Sequence, residues 1–165
     1  MVVGFRSQAI PQTDYRAKYP NKQDSGCFVA TIRHAVESRF KRAFTMNQWT
    51  MLWKRAIAEG AISGEGFVNN HEHVGNIALD IIGQWDEGYR FHYVQIEEPY
   101  GSVLKDFKPR FAARVYQKGL VWRTETGVHM NYGERLEDGV LWDPYPGLEL
   151  KELVSIRHYY IGGVE

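Results

Sequence analysis

Apolar positions recur every three to four residues in the first half of the chain and change to short, dense runs in the second. Phe28, Ile32, Ala35, Val36 and Phe40 fall at helical spacing, which predicts a helix from about Gly26 to Phe40 capped by Asp24 or Ser25. Thr45-Met46-Asn47-Gln48 has the form of a capping box, with Trp49, Leu52, Trp53 and Ala56/Ile57 making one apolar face behind it. A second helix is therefore expected to run to Gly60. A third begins near Asn70, with Val74, Ile77/Ala78 and Ile81/Ile82 turned inward and Gly83 at its end. Runs rich in Val, Ile, Tyr and Trp then follow at 90–96, 112–116, 120–124, 128–132, 139–143 and 156–161, separated by Gly, Pro and acidic residues, the pattern of strands and turns. Helices first and strands afterwards predict an α+β domain whose helices pack on an antiparallel sheet. Residues 1–22 read as an irregular lead-in interrupted by Pro11 and Pro20, and the segment 100–108 between Pro99 and Pro109 carries no assigned element. No repeat or interdomain linker divides 1–165, which reads as a single domain.

Composition narrows the field. A chain of 165 residues with 44% hydrophobic content is long enough for a core without disulfides or structural metal. Lys plus Arg and Asp plus Glu number 20 each, so no global field would gather nucleic acid or an anionic membrane. The single cysteine excludes an intramolecular disulfide and fits a reducing compartment. No stretch approaches the roughly 18 to 20 apolar residues of a membrane helix. The opening MVVGFRSQAIPQTDYR lacks a signal-peptide core, giving the expectation of a cytoplasmic protein. Gly-rich phosphate loops of Walker or dinucleotide type are absent. His71-Glu72-His73 invites a metal reading, but residues two apart on a helix diverge by about 200°, so none is expected there.

The lone cysteine sits where a thiol gains reactivity. Cys27 falls in the first turn of the first helix, where unpaired N–H groups and the helix dipole favour the thiolate nucleophile. Partners are available a hundred residues on. If 128–134 and 138–144 form a hairpin around Arg135 to Glu137, His129 falls opposite Asp143 on one face. Cys27 would then attack a carbonyl carbon, His129 would carry the proton, and Asp143 would orient the imidazole. The oxyanion needs donors: the Cys27 backbone N–H is one, and a side-chain amide upstream, Gln23 or Asn21, is the second. Tyr145, just past Asp143, and Gly26, beside the nucleophile, are the residues expected against substrate.

An amide residue, a Cys at a helix start, a His on a strand and an Asp-Pro-Tyr after the next strand together resemble the papain-like cysteine peptidases. The resemblance is closest to the bacteriocin-leader peptidases and their freestanding bacterial or phage relatives, through His129 and Asp143-Pro144-Tyr145. It implies a papain-like fold, no cofactor, and hydrolysis of a peptide or peptidoglycan-type amide through a thioester acyl-enzyme. That family usually carries Cys-Gly, where this chain has Gly26-Cys27, and a Gln six residues before the Cys, where this chain has Asn21.

Two other readings compete. The same triad could pass the acyl group to an amine rather than to water. Alternatively the chain is a non-catalytic binding or structural protein on the same scaffold, with Cys27 buried as a small hydrophobe.

Overall fold

The computed structural model describes residues 26–64, 67–97, 117–125, 127–133, 143–144 and 149–163. Among the described residues three helices, α1 (Gly26–Phe40), α2 (Met46–Ala58) and α3 (His71–Ile81), precede four strands, β1 (Arg90–Glu97), β2 (Gln117–Arg123), β3 (Val128–Gly133) and β4 (Glu152–Gly162). The domain is α+β, with the helices before an antiparallel sheet. Among the described residues no helix is long and apolar enough to cross a membrane.

The helix boundaries follow from local chemistry. The Thr45 hydroxyl accepts from Gln48 N at 3.1 Å while Gln48 Oε1 accepts from Thr45 N at 2.9 Å, so two orphan donors at the start of α2 are satisfied reciprocally. Asn70 Oδ1 accepts from His73 N at 3.0 Å and starts α3. Gly60 (φ 76°) and Gly83 (φ 79°) stand just beyond α2 and α3 in the left-handed region, where a side chain is costly and glycine ends a helix cheaply.

Burial of α1 is broader than its sequence pattern. Every residue from Gly26 to Ser38 except Phe28 is buried, so α1 runs through the core instead of presenting one stripe. Two charges go in with it. Arg33 and Glu37, 0% and 1% exposed, pair at 3.2 Å. The Arg33 guanidinium lies 4.5 Å from the centre of the Trp49 ring, and Glu37 Oε2 accepts from Phe44 N at 2.6 Å. A pair so buried tolerates loss of neither partner, because the survivor would be an uncompensated charge.

The sheet order is β1-β4-β2-β3. All three pairings are antiparallel, and β4 takes up an irregularity opposite Val121/Trp122. One face carries Phe91, Val121, Met130, Tyr132, Tyr159 and Ile161 into the core shared with the helices. The other holds a smaller cluster of Leu120, Leu153 and Ile156 with Trp122 against it. Helix α3 seats closely on β1 because Gly75 has no side chain: a Cβ there would stand 2.1 Å from Phe91 Cγ.

The expected hairpin of 128–134 with 138–144 has a different described neighbour. β3 pairs with β2, and a short turn closed by Thr124 N donating to Gly127 O at 2.8 Å connects them. The loop 135–137 and most of the expected strand 139–143 lie outside the described residues. So do the lead-in 1–22, the caps Asp24 and Ser25, the segment 100–108 and the expected strand 112–116.

Candidate active site

Cys27 is the second residue of α1, and the helix carries it to the outermost described strand, β3. The Thr31 hydroxyl lies 2.8 Å from the Cys27 carbonyl and 3.3 Å from that of Met130, tying the first turn of α1 to the middle of β3. Alternation along β3 puts Met130 and Tyr132 on the helix-facing side and His129 and Asn131 on the other.

His129 is the point where the groups converge. Its Nε2 stands 2.6 Å from Asp143 Oδ1, and Cys27 lies near enough to favour its charged form. The imidazole thus comes under the influence of two residues that lie 102 positions before it and 14 after it in the sequence. All are sheltered: Cys27 is 4% exposed and His129 3%, and the Asp143 side chain 17%.

Electrostatics at the imidazole are a contest that the partners win. Burial by itself pushes the His129 pKa down, but the hydrogen bond to Asp143, and then the nearness of Cys27, raise it to about 9. The ring is therefore a cation at neutral pH. Opposite charge close at hand outweighs desolvation here.

Asp143 is itself held. Its Oδ2 accepts from Asn131 Nδ2 at 3.1 Å, and Asn131 Oδ1 accepts from Trp122 Nε1 at 2.9 Å. Asn131 is fully buried, so the Trp122–Asn131–Asp143–His129 chain fixes the carboxylate's direction through a residue with little freedom of its own. Neither Asn131 nor Trp122 follows from a search for triad residues. Strand alternation was the available signal, since Asn131 lies two residues after His129 and so shares its face.

The remaining sequence-derived positions divide. Gly26 is buried at the start of α1 beside Cys27. Gln23, Asn21 and Tyr145 lie outside the described residues. His71 and His73 part company as their spacing requires: His71 is buried and stacks on Tyr93 with centroids 4.3 Å apart, whereas His73 Nε2 lies 3.1 Å from Glu59 Oε1 at the surface. Among the described residues no cluster of three or more His, Cys, Asp or Glu side chains could hold a metal ion.

Comparison with known proteins finds no match: no family model, no curated protein and no solved structure is similar to this chain.

Proposed function

We propose that the chain is a cysteine-dependent amide hydrolase of papain-like fold, acting on a peptide or peptidoglycan-type amide. The observation that carries this reading is the His129 ring, held by a carboxylate on Nε2 at 2.6 Å and raised in pKa by Asp143 and by nearby Cys27. A cysteine buried only for packing needs no such partner.

In this mechanism the imidazolium form supplies the resting state. With His129 cationic up to about pH 9, the ring already holds the proton that the leaving amine needs. The Cys27 sulfur attacks the amide carbonyl carbon, and the oxygen takes the electron pair of the broken π bond. The Cys27 backbone N–H stabilises that oxyanion, with Gln23 or Asn21 as the second donor. Collapse expels the amine, which takes the proton from His129, leaving a thioester. Water then attacks, giving a proton to His129 and releasing the acid and the thiolate. Asp143 keeps the ring oriented in both halves.

One observation favours a second reading, a non-catalytic protein on the same scaffold: Cys27 is 4% exposed and packs into the main core cluster. Iodoacetamide labelling of the native protein across pH, with His129→Ala alongside, separates the two. The hydrolase reading expects rapid labelling that persists below pH 7 and is lost in the variant. A thiol inert at every pH where the fold survives would leave Cys27 as core and end the hydrolase reading.

A further inference from the structure

A cavity of about 430 Å³ opens by the first turn of α1, lined by Phe28, Val68, Asn69, Asn70, His71, Tyr93 and Arg157. Phe28 directly follows Cys27 and is the one residue in the first three turns of α1 that is not fully buried. A second path joins the cavity to the site. Tyr93 stacks on Tyr159 at 5.8 Å, and the Tyr159 hydroxyl donates to Met130 Sδ at 3.6 Å, one residue from His129.

The polar groups in this cavity have capacity to spare. Arg157 donates from Nε to Ser155 Oγ at 3.2 Å and from one terminal nitrogen to the Tyr93 hydroxyl at 2.6 Å. Both acceptors are neutral. Its guanidinium carbon stands 5.9 Å from the Phe28 ring centre. No carboxylate pairs with it among the described residues, although a guanidinium offers five donors in a fork suited to one. His71 is about nine-tenths buried, and its Nδ1 has no hydrogen-bond partner among the described residues. Native structures seldom leave a buried ring nitrogen unsatisfied unless a site requires it. Tyr93 stacked on His71, with Phe28 and Val68, supplies apolar wall for the stem of a side chain. The volume falls within the range of small-ligand sites, and the lining is more polar than apolar.

We propose that this cavity binds a carboxylate-bearing residue of a peptide, with Arg157 pairing the carboxylate and His71 supplying a further polar contact. If Cys27 is the nucleophile, as the proposed function requires, an acidic residue near the scissile amide is the specificity feature of the substrate. The cation is held in place by Tyr93 and Ser155 before any peptide arrives, so little ordering is needed on binding.

The test is a titration of the native protein with acetyl-Ala-Glu-Ala-amide and with its Gln counterpart, following the His71 ring resonances by NMR. The Glu peptide is expected to perturb them saturably and to bind about tenfold tighter than the Gln peptide, as a charge-assisted contact would give. Arg157→Gln should abolish that preference, and Arg157→Lys should keep part of it. Equal affinity for the two peptides, no perturbation of His71 by either, or a preference that survives Arg157→Gln would overturn the assignment. Iodoacetamide labelling of Cys27 in the same samples distinguishes the failures. A Glu preference beside an inert thiol supports the carboxylate site while ending the hydrolase reading, and a reactive thiol without the preference does the reverse.

Discussion

Asp143→Asn removes a charge and almost no volume, which makes it a direct probe of what holds the His129 proton. In the wild type the difference between the ordinary 6.5 and about 9 is worth about 3 kcal/mol. The sign follows from linkage. A histidine whose folded pKa lies above its unfolded value adds stability that is fully present below pH 6.5 and is lost as pH rises through about 9. Asp143 is the strongest of the groups raising this pKa, and its side chain is only 17% exposed, so solvent screens the pair little. With a neutral amide in its place, burial is opposed by Cys27 alone, and the pKa is expected to fall by about 1–3 units. Two measurements read this: the NMR titration of the His129 ring, and urea unfolding at pH 6 and pH 9. The variant should lose about 1–3 kcal/mol at pH 6 and should flatten the wild-type decline towards pH 9. A wild-type His129 that titrates near 6.5, or a variant with an unchanged titration, would refute the account of the pair.

Other expectations follow from neighbouring contacts. Asn131→Leu leaves the Trp122 N–H and Asp143 Oδ2 without their partner, so urea unfolding should show a loss of about 1–3 kcal/mol, with slower thiol labelling as Asp143 loses its direction. Gly75→Ala sets a methyl 2.1 Å from the Phe91 ring and should lower stability by about 1–3 kcal/mol as α3 is pushed off β1, read as a drop in Tm. His71, pushed down to about 4 by burial and then by Arg157, acts in the opposite sense to His129. A depressed histidine keeps its contribution above pH 6.5 and loses it as pH falls towards 4, because the unfolded chain takes the proton first. Stability should therefore drop by up to about 3 kcal/mol over that interval, and His71→Phe should remove that part of the slope in urea unfolding.

The parts of the fold legible in the sequence are those with local causes. Thr45 with Gln48, Asn70, Gly60 and Gly83 set helix ends within a few residues of themselves, and each acts where its chemistry indicates. The contact of His129 with Asp143 was legible as a pair of residue types, because each has a chemical reason in the sequence. Its support was not. Asn131 braces Asp143 through contacts between β2, β3 and a residue beyond them, and only assembled strands make that visible. The burial of Arg33 and Glu37 was hidden for a similar reason. An i,i+4 pair reads as a solvated helix face until the surrounding elements close over it, and here α1 is enclosed on nearly every side. Arg157 gave no local sign either, since its setting comes from α1, the residues before α3, and β1.

The position of β4 has a consequence for the order in which the chain can assemble itself. Among the described residues no hydrogen-bonded ladder joins β1 to the β2–β3 hairpin directly; both rest on β4, the strand made after them. During synthesis, the helices with β1 and the hairpin bearing His129 emerge as two pieces with an unfilled slot between them. Glu152–Gly162 then enters as a keystone, carrying Tyr159 and Arg157 into place with it. Pairing across such sequence distances is slow to form. The nascent chain thus carries Cys27 and His129 well before the four-stranded sheet is complete.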